Sequence, residues 1–161
     1  MTFTIYTDGG CSGNKRDAGC VGAYAYVVVN EFNIIVLSRT TKEENTTNNR
    51  MELSAVLHAL TDFDKHYLQD NVLEKKDTDI VIISDSKYVV DNYNDYLQEW
   101  KKRGWSKLNG APVLNVDLWT TIDKCTPEYK SVTFKWVKGH NGDSYNERVD
   151  MAVQQTLRKK S

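Results

Sequence analysis

Thr4-Ile5-Tyr6-Thr7-Asp8-Gly9-Gly10 reads as a short strand that ends on a carboxylate and then turns. From Phe3 to Asp8 the side chains alternate between faces, as a pleated strand requires. Gly9 and Gly10 can take positive φ, so they are expected to fold the chain back over the strand end. Lacking a side chain, Gly9 also keeps the backbone beside Asp8 clear. An aspartate in such a place is suited to holding a metal ion against a phosphate. Taken alone, an Asp-Gly pair is more often only a turn, so the reading depends on whether other carboxylates arrive at the same point.

Outward from that stretch the chain alternates in a definite way. Cys11 to Gly19 is a polar loop carrying Asn14, Lys15 and Arg16. Tyr24–Val29 and Ile34–Arg39 are expected strands, joined by a hairpin loop over Asn30–Asn33. A helix is expected from Thr46 to about Phe63, with Thr47 or Asn48 capping its start. Ile80-Val81-Ile82-Ile83 is apolar on both faces, as a central buried strand should be, and it ends on Ser84-Asp85-Ser86 before a helix from about Lys87. Helices are expected near Leu97–Arg103 and Val116–Lys124, a fifth strand over Val132–Val137, and a last helix from Ser144 to about Leu157. Ser144 and Glu147 match a capping box for that helix. Three consecutive strands followed by strands separated by helices imply an α/β domain with a mixed sheet and helices packed over its faces.

Composition narrows the function classes. The chain of 161 residues, 40% apolar and 27% charged, reads as one folded domain with a core of its own. Its net charge of −1 argues against a general polyanion binder, so any nucleic-acid contact must come from local patches. The three cysteines, Cys11, Cys20 and Cys125, have an odd count and no zinc-ligand spacing, and are expected to be reduced thiols. With no signal peptide and no apolar run long enough to cross a bilayer, a cytoplasmic protein without membrane contact is expected.

Further carboxylates do point inward. On the helix from Thr46, Glu52 shares a face with Val56, Ala59, Leu60 and Phe63, the apolar stripe. Burying it uncompensated would cost several kcal/mol, so it needs a partner: Arg50, a capping role, or a cation. Asp150 falls close to the face of Val153 and Leu157 on the last helix. Asp85 ends the central strand as Asp8 ends the first, and ligands of open α/β sheets bind at the carboxyl ends of adjacent strands. Two like charges about 4 Å apart repel by roughly 4 kcal/mol at an effective dielectric of about 20. Clustered carboxylates therefore need protons or a divalent cation, and ligands that are all oxygen favour magnesium or manganese over zinc.

Five blocks in this order resemble the signature blocks of ribonuclease H, type 1, and span nearly the whole chain. They are Thr7-Asp8-Gly9-Gly10-Cys11, Thr46-Thr47-Asn48-Asn49-Arg50-Met51-Glu52-Leu53 and Ser84-Asp85-Ser86-Lys87-Tyr88-Val89, then two more. These last are Trp100-Lys101-Lys102-Arg103-Gly104-Trp105 and Trp136-Val137-Lys138-Gly139-His140, continued by Asn146-Glu147-Arg148-Val149-Asp150. The resemblance implies a five-stranded mixed sheet, its first three strands antiparallel, with helices on both faces, over a single catalytic domain of residues 1–161. It implies hydrolysis of the RNA strand of RNA–DNA hybrids, leaving 5′-phosphate and 3′-hydroxyl ends. Asp8, Glu52, Asp85 and Asp150 would match the four metal-binding carboxylates, holding two magnesium ions that clamp one phosphodiester. His140 would match a histidine that transfers protons or helps product leave. A non-catalytic hybrid-binding domain on the same fold is the alternative; it normally goes with a lost acid, and none is lost. A monomer is expected.

Hybrid recognition would draw on other residues of those blocks. RNA is distinguished from DNA at its 2′-hydroxyls, and Asn14, Asn48 and Asn49 match positions that lie in the minor groove in the family. Thr47 matches part of a pocket for a DNA phosphate. Lys101, Lys102, Arg103 and Trp105 resemble the family's basic protrusion, which grips the DNA strand by phosphate contacts and stacking. Trp100 and Trp119 are expected in the core. Three departures stand out: Glu99 where asparagine often binds the DNA phosphate, Tyr96 in place of a common tryptophan, and Lys87 in place of a frequent glutamine. An acid at Glu99 should repel the phosphate, whereas Lys87 could contact one.

Overall fold

The structure, a computed structural model, describes residues 1–12, 19–139 and 144–159. Five strands form one sheet in the order β3-β2-β1-β4-β5. They are β1 (Thr2–Ser12), β2 (Cys20–Val29), β3 (Ile35–Thr46), β4 (Asp79–Ser84) and β5 (Ser131–Trp136). The first three pair antiparallel, while β4 lies parallel to both β1 and β5, as the resemblance implies. Among the described residues, five α-helices accompany them: α1 (Asn48–Phe63), α2 (Lys87–Asp91), α3 (Leu97–Lys102), α4 (Val116–Cys125) and α5 (Ser144–Arg158). π-helical turns extend α1 through Leu68 and join α2 to α3.

Strand alternation sorts the core into two layers. Tyr26 and Val28 of β2 pack with Phe3, Ile5, Ile80 and Ile82 against α1, α3 and α4. The intervening Ala23, Ala25, Val27 and Val29 face Val149 and Val153 of α5. Trp100 and Trp119 are buried, edge to face at 5.8 Å, in the core role expected of them. β2 is thus the strand buried along both faces. On β4, only Ile80, Ile82 and Ser84 are buried, and Val81 and Ile83 are half-buried. The reason is that α5 packs over β1, β2 and β3, leaving the corresponding face of β4 less covered than its apolar run suggested.

Three local expectations are corrected. β1 does not stop at Asp8: Asp8, Gly9 and Gly10 pair in register with Ala25, Tyr24 and Ala23 of β2. Neither Gly9 nor Gly10 has positive φ, and the long-range ladder outweighs the turn chemistry of two glycines. Cys11 and Cys20 are a disulfide, not free thiols. The β1–β2 pairing, invisible in their sequence spacing, brings their Cα atoms to 5.7 Å, an ordinary disulfide separation. Cys125 is free and half-buried, and burial pushes its thiol upward, away from thiolate. Ser144 lies within α5, whose start adjoins residues outside those described. No helix among the described residues is long and apolar enough to cross a membrane.

Candidate active site

The middle of β1, the end of β4 and one turn of α1 converge. Thr7 of β1 and Ser84 of β4 form the last pair of the parallel ladder, so Asp8 and Asp85 stand side by side one residue beyond it. After Asp85 the chain leaves the sheet and enters α2, whose first turn is capped by Ser86 accepting from the Val89 N–H at 3.2 Å. α1 begins beside them. Thr47 caps it, its hydroxyl accepting from the Arg50 N–H at 3.2 Å. The helix then aims Glu52 at the sheet, with 5% of its surface exposed.

Gly9 explains how α1 comes so close. A Cβ on Gly9 would lie 2.3 Å from the Met51 carbonyl carbon and 2.4 Å from the Glu52 nitrogen, so only glycine fits. The backbone does not stay clear for a ligand there; it is covered by the helix. In return, the Gly9 N–H donates to Glu52 Oε1 and orients that carboxylate. Asp8, Glu52 and Asp85 each offer an oxygen, all within 4.8 Å of one another.

This packing makes the cluster electrostatically costly. Burial pushes the Asp8 carboxyl up most strongly, followed by the charges of Glu52, Asp85 and Asp150. Glu52 is also raised, by burial and then by Asp85, although hydrogen bonds from Asp8, Gly9 and Ser86 hold it lower than burial alone would. Both carboxyls are thus pushed toward the protonated form, and they share a hydrogen bond. A hard divalent cation would replace such protons at neutral pH, and an all-oxygen donor set suits one. Asp150, half-buried on α5, acts on Asp8 through its charge but is not among the three tightly grouped carboxylates.

β5 supplies residues that motif reading left without a role. Trp136 pairs with Ser84, and its Nε1–H donates to the Asp85 carbonyl at 3.0 Å. The Lys87 ammonium sits over the Trp136 ring, 4.8 Å from its centroid, within cation–π range. A Cβ on Gly139 would come within 3.2 Å of Asp85 Oδ2. The signal for Trp136 was positional: it ends the strand parallel to β4, level with the residue before Asp85.

The remaining site residues fall in three places. Asn14 and His140 lie outside the described residues. Thr47, Asn48 and Asn49 are exposed at the start of α1, one turn from Glu52. Arg50 does not pair with Glu52; its Nη1 and Nη2 donate to the two carboxylate oxygens of Asp117 of α4, at 3.1 and 2.8 Å, and so fasten α1 to α4. Lys101, Lys102 and Arg103 are exposed at the end of α3. Gly104 and Trp105 follow with φ of 64° and 66°, which swings Trp105 back to pack, half-buried, against the core.

The chain is similar to known proteins in sequence and in fold. The family model described as RNase H matches residues 1–158. A ribonuclease H of Maricaulis maris is 38% identical over 156 residues, covering 97% of this chain and 93% of that protein. A ribonuclease H of Pseudomonas entomophila is 38% identical over 146 residues, covering 91% and 86%. Among solved structures, LC9-RNase H1, described as a type 1 RNase H with the type 2 active-site motif, superposes with a TM-score of 0.77 at 26% identity. That match covers 97% of this chain and 72% of the other. The foamy viral protease-reverse transcriptase, solved in complex with RNA/DNA hybrid, shares the fold at 17% identity, with a TM-score of 0.78 over 97% of this chain and 20% of that one.

Proposed function

The chain belongs to the ribonuclease H family, and from that premise we propose that it is a metal-dependent endonuclease cutting the RNA strand of RNA–DNA hybrids. The observation that carries the reading is the convergence of Asp8, Glu52 and Asp85 within 4.8 Å, just beyond the end of the β1–β4 ladder. Asp8, Glu52, Asp85 and Asp150 would hold the cations, magnesium being the expected ion. When bound, a pair of such ions supplies a water of lowered pKa for in-line attack and stabilises the leaving 3′ oxygen. The protein's own part is positional. Gly9 and Ser86 fix the Glu52 carboxylate, Trp136 fixes the backbone at Asp85, and the fold holds the like charges together before substrate arrives. His140 is assigned proton transfer or product release.

Asn14, Asn48 and Asn49 would read the RNA 2′-hydroxyls, and Thr47 with Lys101, Lys102, Arg103 and Trp105 would hold the DNA strand. The protein is expected to act as a monomer through this single domain. A labelled RNA strand offered as hybrid, as RNA duplex and alone tests the reading, alongside a labelled DNA duplex. Cleavage confined to RNA in the hybrid, dependent on magnesium and lost by at least about a hundredfold in Asp85→Asn, is expected. Retained turnover in that variant would remove Asp85 from the site, and tight hybrid binding without product would favour the non-catalytic alternative.

A further inference from the structure

The cations at the end of α3 are already occupied. Lys102 Nζ lies 3.6 Å from Glu99 Oε1, and Arg103 Nη2 lies 3.5 Å from Glu99 Oε2. The spacing of three and four residues places Glu99 on the same helical face as both. Lys101, the third cation, is bound 3.2 Å away by Asp123 of α4. The adjacent Trp100 is buried, so α3 cannot roll to carry Glu99 elsewhere. Glu99 and Arg103 also line one cleft of about 400 Å³ with Tyr96 and Lys107. A polyanion approaching this face therefore meets a carboxylate set among the groups that should receive it.

We infer that Glu99 sets the hybrid affinity of this protein, lowering it by holding Lys102 and Arg103 and by opposing the phosphates that would replace it. The inference rests on the nuclease reading above, which places the DNA strand on this face. Exposed pairs of this kind are weak, so a phosphate can displace Glu99; the contact is a competitor and not a lock. Once displaced, the carboxylate remains within the phosphate field and continues to oppose binding.

The test is anisotropy with a labelled RNA–DNA hybrid, in magnesium, on an Asp85→Asn background that prevents turnover. Adding Glu99→Gln is expected to tighten binding about three- to tenfold. It should also steepen the dependence of log Kd on log salt by up to about one, because cations freed from Glu99 release more counterions. In the active chain, Glu99→Gln lowers KM by a similar factor. Glu74→Gln removes an equal charge from a remote exposed pair with Lys76, at 3.1 Å, and should leave affinity unchanged. Removing the Arg103 and Lys102 side chains as well should abolish most of the Glu99→Gln gain.

An unchanged Kd and salt slope in Glu99→Gln would overturn the inference, as would an equal gain from Glu74→Gln, which would mark a mere effect of net charge. A parent chain that neither binds nor cleaves hybrid would instead overturn the nuclease reading beneath it.

Discussion

Burial first, and then the charges of three neighbouring carboxylates, push the Asp8 carboxyl upward. Its ordinary value is 3.8 and that of Glu52 is 4.5, and both are raised in the fold. A raised carboxyl means that the folded state favours the protonated form. Without metal, the cluster is therefore best tolerated below those ordinary values, and stability falls as pH rises through the raised ones. Asp8→Asn removes the charge that burial and neighbours oppose. In EDTA at mildly alkaline pH it should raise Tm by about 4–8 °C, for roughly 2 kcal/mol in a domain of this size. The gain should shrink toward pH 4, and thermal melts at several pH values measure both effects. A lower Tm in Asp8→Asn would show that the carboxylate is compensated in a way the cluster does not suggest. Asp8, Glu52 and Asp85 were legible from the sequence because strand alternation and helix faces are local geometry, although β1 continues past Asp8. The role of Trp136 was not, because its level with Ser84 follows only from the pairing of β4 with β5, which spacing does not reveal.

At the scale of elements, the join between β1 and α1 matters most. Gly9 was read as a turn and proves to be a paired strand residue whose missing side chain admits a helix. Local propensity pointed to the right residue type for the wrong reason: both a turn and a close approach favour glycine, and only the packing tells them apart. Gly9→Ala must push Met51 and Glu52 away, so it should destabilise the protein by about 3 kcal/mol or more. It should also reduce cleavage more than unfolding alone explains, because Glu52 moves with the helix. Denaturant melts and turnover at a temperature where the variant stays folded separate the two effects. Elements with strong periodicity, such as α1 and α4, were found within a few residues of their expected limits. The Cys11–Cys20 disulfide was not foreseen, because it depends on which strands become neighbours.

For the whole molecule, the strand order places β1, which carries Asp8, beside β4, which ends one residue before Asp85. The site is thus built on the inner part of the sheet, and β5 steadies it through the Trp136 bond to the Asp85 carbonyl. The mixed topology could be anticipated from three successive strands followed by alternation with helices. The half-open face of β4 could not, since it depends on where α5 lies. A cation bound to the folded cluster and not to the unfolded chain should raise Tm, by roughly 2.7 kcal/mol of added stability at a hundredfold excess over Kd. Calorimetry with increasing magnesium tests this, and Asp85→Asn should lose most of the shift; no shift at saturating magnesium would count against the cluster as a cation site. Of the four tryptophans, Trp100 and Trp119 are buried and Trp105 half-buried, whereas Trp136 is 41% exposed and hydrogen-bonded to the backbone of Asp85. The protein therefore carries its own optical probe at the cluster. A dissolved quencher reaches that indole ahead of the others, and changes in its emission follow whatever settles between Asp85 and Lys87.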